Sequence, residues 1–182
     1  MQQLIIWAVF CLLVLVLCLL RPNVGRIFLG IFFLVMAIGV NVVMVFVDPD
    51  SYIGLGAESF VSLYRWVFVD LVALAPPLFV LPVAAFEITV GLLMLGKGRY
   101  VKWGLIGGIV FLIGITPLGV WTLANPILAL AMALLLGKEY DRSVPEMLRL
   151  TARTRRTTSK GDDTRGPGRP KALPRAEWDR RV

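Results

Sequence analysis

Residues 103–136 read WGLIGGIVFLIGITPLGVWTLANPILALAMALLL, 34 positions without a charged side chain. An α-helix rises about 1.5 Å per residue, so one helix of this length would run about 51 Å through a hydrocarbon layer of about 30 Å. Tilt does not absorb that excess. Thr116-Pro117-Leu118-Gly119 divides the run, because proline and glycine both interrupt helices. The stretch therefore reads as two short crossings joined as a hairpin. That reading sets the number of crossings for the whole chain.

Working outward, three further apolar blocks occupy residues 4–20, 27–47 and 71–95, and only the last holds a charge. Each is long enough for one crossing. The expected spans are about 4–20, 27–47, 71–95, 101–116 and 118–136. Basic residues gather in 21–26, in 97–102 and after residue 137, whereas residues 48–70 carry Asp48, Asp50, Glu58 and Asp70 against Arg65 alone. The positive-inside rule places the first group in the cytoplasm. Five crossings then start from an outside N-terminus and leave the basic tail in the cytoplasm. The expected location is the inner (plasma) membrane, multi-pass. Residues 4–20 are read as a retained span, since Met1-Gln2-Gln3 has no positive charge and no small-residue cleavage site follows. In the outer loop 48–70, Phe60, Leu63, Tyr64, Val67 and Phe68 recur at helical spacing, which predicts an interfacial helix.

Composition agrees. Of 182 residues, 58% are apolar and 17% charged, and the mean hydropathy is +0.79. A soluble domain has about a quarter charged residues. The fold class is all-α, a polytopic membrane bundle. The net charge of +7 is uneven: residues 1–136 hold six basic and five acidic side chains, residues 137–182 thirteen and seven. There is no histidine, which excludes Ser-His-Asp catalysis and histidine-ligated metal or haem. Cys11 and Cys18 lie about 10 Å apart along one helix, too far for a disulfide within the chain. They read as buried small apolar residues. No metal and no cofactor is expected from the residues.

The tail opens with Ser143-Val144-Pro145-Glu146, a capping-box pattern. A basic amphipathic helix is expected over 137–156, with Arg149, Arg153 and Arg156 placed to meet anionic lipid at about 1 kcal/mol each. Residues 157–182 are rich in Ser, Gly, Pro, Asp and Arg and are expected to be disordered. Gly168-Arg169-Pro170-Lys171 is read as solvated, so no nucleic-acid partner is expected.

Glu87 is the one charge inside the four apolar blocks. A carboxylate at that depth costs several kcal/mol, so it should be protonated, paired or turned to the bundle interior. Asn41 in span two and Asn125 in span five are the candidate partners. Two readings stand together: a proton-carrying or ligand-binding carboxyl, and a neutral acid that fixes helix packing. Pro76-Pro77 should start span three and Pro82 bend it. Gly104 with Gly108, and Ala129 with Ala133, are small-xxx-small pairs suited to close helix packing or self-association.

Phe86-Glu87-Ile88-Thr89-Val90-Gly91-Leu92-Leu93-Met94-Leu95-Gly96, followed by the basic loop 97–102 and a Gly-rich span, resembles the second helix and loop of DoxX-like membrane proteins. Arg26-Ile27-Phe28-Leu29-Gly30 resembles the start of that family's first helix. The resemblance covers about residues 26–136. It implies a four-helix core made of spans two to five, with one extra N-terminal helix here, and it carries over Glu87, Gly91 and Gly96. It also implies a link to quinone or redox complexes, with quinone as the one cofactor in view. The function expected is a non-catalytic subunit or scaffold of a membrane complex, with a protein partner or a homo-oligomer. The alternative is a small proton-coupled transporter working through Glu87.

Overall fold

The computed structural model describes residues 2–147. All regular structure among them is helical. Helix α1, Gln2–Leu20, contains no Gly or Pro and runs unbroken. Pro22 opens α2, where its missing N–H costs no hydrogen bond. This second helix covers Pro22–Val47, with a π-helical stretch at Met36–Val42. Two short helices follow, α3 (Asp50–Ala57) and α4 (Ser62–Trp66). Helix α5 is Pro76–Leu95, with two prolines in its first turn and Pro82 inside. Gly98, at φ +57°, turns the chain tightly into α6, Arg99–Ile115. Two 3₁₀ turns, Thr116–Leu118 and Val120–Thr122, lead to α7, Asn125–Leu136.

Four helices are long and apolar enough to cross a membrane: α1, α2, α5, and Arg99–Leu118, which is α6 with its first 3₁₀ turn. The chain is a multi-pass membrane protein on that ground. The run at 103–136 does divide at residues 116–118. Its second leg is short, since the 12 residues of α7 rise only about 18 Å. The 3₁₀ turns and residues 119–124 make up the remainder.

Several boundaries differ from the sequence expectation. Span two starts at Pro22, not residue 27, and so takes Arg26 into the helix. Span three starts at Pro76, because Val67–Leu71 winds as π-helix and Val72–Leu74 as a 3₁₀ turn. The outer loop is not one helix. Residues 58–61 break it, and Phe60 N–H and Ser59 Oγ–H donate to the Pro117 carbonyl at 3.2 and 2.8 Å. Residues 137–143 are not helical, and a helix begins at residue 144, directly after Ser143. Arg149, Arg153, Arg156 and the tail 157–182 lie outside the described residues.

The helices form a ring in the order α2, α5, α6, α7, α1, which closes back on α2. Helix α1 is thus a stave between α7 and α2, which barely touch each other. One end of the ring, the basic end, carries residues 20–26, 96–102 and 137–143. The other, the acidic end, carries the N-terminus and residues 48–75 and 116–124. The ring interior toward the basic end is filled by Cys11, Leu29, Met94, Leu105, Leu128 and Met132, all fully buried. Leu13, Leu78 and Val110 point outward and are 65–69% exposed, as a lipid-facing surface requires.

Candidate functional site

Toward the acidic end the ring is not filled. A cavity of about 380 Å³ lies there, with walls from α1, α2, α5, α6, α7 and the second 3₁₀ turn. Its surface is mainly apolar and includes five aromatic side chains, Trp7, Phe32, Phe33, Phe111 and Trp121. The rings brace each other, with Trp7–Phe32 centroids 6.0 Å apart and Phe33–Phe111 6.1 Å. Polar atoms enter from Glu87, Asn125, Gln3 and Thr122. The volume falls in the range of small-molecule sites, about 300–1,000 Å³, where an apolar wall and a few convergent polar groups are usual.

Glu87 is the deep polar group. It is 3% exposed, and it sits on the α5 face that also carries Ala84, Val90, Gly91 and Met94. Asn41 Nδ2–H donates to Glu87 Oε2. Asn41 lies in the π-helical stretch of α2, where the wider turn shifts the side-chain register. Tyr52 on α3 completes the chain: its hydroxyl shares its one proton between the Asn41 backbone carbonyl at 3.0 Å and Asn41 Oδ1 at 3.1 Å. Among the described residues no donor reaches Glu87 Oε1, and Glu87 lines the cavity. One carboxyl oxygen is held by protein and the other is open to a ligand.

Asn125 does not join Asn41. Its Oδ1 accepts from Trp7 Nε1–H at 3.1 Å, and the residue is one of those that line the cavity. The two asparagines expected as partners of Glu87 thus divide. Asn41 holds the carboxyl from behind, and Asn125 lines the same chamber from another helix. Gly91 lies against α2, whereas a Cβ on Gly96 would meet the Leu93 carbonyl and Tyr100 and nothing of α2. A Cβ on Gly91 would stand 2.8 Å from the Gly30 carbonyl oxygen and one on Gly30 3.0 Å from the Gly91 carbonyl oxygen, so this glycine pair lets α2 and α5 touch backbone to backbone.

Two functional groups escape sequence reasoning. Tyr52 reads as an interfacial aromatic, and nothing in its spacing connects it to Asn41. Arg26 reads as a loop cation. It is 1% exposed, and its guanidinium donates to the carbonyls of Met94 (3.4 Å), Gly96 (2.7 Å) and Arg142 (2.6 Å). The same group lies 4.6 Å over the Tyr140 ring. The Met94 and Gly96 carbonyls belong to the C-terminal end of α5, whose dipole favours a cation. Helix α2 begins at Pro22, which places Arg26 inside it.

No protein-family model matches this chain, and no curated protein and no solved structure matches it.

The tyrosines set an alkaline limit. Burial, with the charge of Glu87 adding to it, pushes the Tyr52 phenol up to about 12, from an ordinary value of about 10. Burial does the same to Tyr140, up to about 12, with Arg26 opposing. A group whose folded pKa is raised adds stability that is complete below its unfolded pKa and is lost as pH rises through the folded one. Stability in detergent should therefore fall between about pH 10 and pH 12. Tyr52→Phe should cost about 1 kcal/mol at pH 7 and flatten part of that fall. An alkaline slope unchanged in the Tyr52→Phe/Tyr140→Phe double variant would rule the linkage out.

Proposed function

We propose that this protein is a DoxX-like, non-catalytic subunit or scaffold of a membrane complex, and that it holds a small apolar molecule in the cavity at Glu87. The observation that carries the reading is an aromatic chamber with a single deep carboxyl, one oxygen of which is braced by Asn41 and the other open. The basic end, with Arg21, Lys97, Arg99, Lys102 and Lys138, faces the cytoplasm on the positive-inside rule. The tail then emerges beside anionic lipid and cytoplasmic partners of an inner membrane.

A quinone fits the residues present. Its flat head matches the aromatic walls, and the Asn125 N–H₂ offers a donor to a carbonyl. Bound there, it would supply two-electron redox chemistry to a partner. The residues of this chain would orient the ring, exclude water and hold a proton at Glu87. Proton-coupled transport through the same carboxyl is the second reading, favoured by the open Glu87 Oε1. It requires a path to the basic end through the buried layer of Leu29, Met94, Leu105, Leu128 and Met132, and that closed layer favours holding over passage.

The test is mild-detergent purification of the full chain, with mass spectrometry of co-purifying proteins and of the lipid extract. A membrane partner and an apolar small molecule are expected, and Ile115→Trp, which fills the cavity, should lose the molecule. A chain recovered alone, with an extract identical to that of Ile115→Trp, would end the proposal.

A further inference from the structure

We infer that the cavity selects a lipophilic organic cation, an ammonium-type head on an apolar body, with the head against Glu87 and aromatic rings around it. The inference rests on the reading of the cavity as a ligand site and names the class of ligand.

The argument starts from charge. The residues that line the cavity include Glu87 and no Lys or Arg. Glu87 is buried in a bilayer-spanning helix, where a bare carboxylate is costly, so it needs either a proton or a cation. The side chains that face it do not supply the cation. Asn41 and Tyr52 are neutral, and Arg26 is committed to carbonyls at the basic end. Asn41 holds Oε2 by donating to it, which steadies the charged form and leaves Oε1 for the incoming group.

The walls suit the same ligand. Faces of Trp and Phe attract organic cations by about 0.5–2 kcal/mol, more where water is excluded. Five such rings line this cavity, which is closed toward the basic end by apolar packing. A strongly hydrated metal ion would find one carboxyl and no further oxygen cluster. Among the described residues no group of three Asp, Glu, Cys or His lies together. A bulky cation with a thin hydration shell needs fewer ligands. Asn125 also lines the chamber, from a different helix than Glu87.

The approach is also acidic. A second hollow adjoins the cavity, shares Gln3 and Trp121 with it, and adds Glu58. Asp48, Asp50 and Asp70 lie at the same end of the ring against Arg65. Carboxylates around a low-dielectric mouth concentrate cations there.

The experiment uses the purified full chain in detergent and three probes, read by calorimetry: benzyltrimethylammonium, its neutral carbon isostere neopentylbenzene, and a short-chain quinone. The ammonium should bind at least 10-fold tighter than the isostere. Glu87→Gln, which keeps the shape and can still accept from Asn41, should erase that preference. Equal binding of the charged and neutral isosteres overturns the inference, as does a preference that survives in Glu87→Gln. Should that variant not fold, the wild-type charge series alone decides. Quinone or neopentylbenzene binding with no ammonium preference overturns the cation and leaves the cavity as a ligand site. Binding of none of the three overturns both readings.

Discussion

Arg26→Met is expected to lower the thermal midpoint of the purified protein by about 10 °C. The guanidinium is sealed between α2, the turn after α5 and the segment after α7, with three carbonyls and an aromatic ring on it. Methionine keeps the apolar stem, so packing changes little and the loss reports the polar contacts. Hydrogen bonds to a charged group contribute about 1.5–3 kcal/mol each and do not add fully. A net loss of roughly 3–5 kcal/mol follows, and a chain of this length loses about 2–4 °C per kcal/mol. Arg26→Lys should recover less than half, because one ammonium on a shorter stem does not bridge three carbonyls. Differential scanning fluorimetry in one detergent measures all three proteins. A midpoint within 2 °C of wild type (about 1 kcal/mol or less) for Arg26→Met would show that the carbonyls find other donors.

Gly91→Val should have the next largest effect, and it should reach the candidate site. The first carbon added at Gly91 would meet the Gly30 carbonyl oxygen at 2.8 Å and Leu34 Cγ at 3.0 Å. The backbone oxygen does not swing aside, so α2 and α5 must part. Overpacking of this kind costs about 1–3 kcal/mol. Glu87 is one turn from Gly91 on the same face of α5, so parting the helices also stretches the Asn41–Glu87 contact. Gly108→Ala is the control. Its new carbon would approach Met132 Sδ at 2.8 Å and Met94 Cε at 2.9 Å, both at the ends of flexible side chains that repack readily. It should cost under about 1 kcal/mol. Chemical unfolding and ligand calorimetry on the two variants separate the cases. Equal stability of Gly91→Val and Gly108→Ala would show that α2 and α5 do not depend on backbone contact.

The candidate site was legible in part. Glu87 stands out because a charge in a long apolar run needs an explanation. Asn41 was one of few polar side chains at a comparable depth, and it does bond to Glu87. Asn125 was grouped with them on composition and instead bonds to Trp7. Tyr52 was hidden because its hydroxyl reaches from α3 back to Asn41 in the π-helical part of α2, and loop spacing carries no record of that contact. The aromatic walls come from four separate segments, so no local pattern announces a cavity.

The sequence alone determined the membrane setting, the approximate number of crossings and the division of the 34-residue run, because these depend on length, hydropathy and local helix breakers. It also marked the acidic and basic ends, since charge is read without knowing contacts. Tertiary structure decided that α1 closes the ring, that Arg26 is buried, and that an unfilled chamber lies beside Glu87. Each depends on which faces meet across distant segments. An apolar sequence that tolerates lipid on any face does not specify that choice by periodicity.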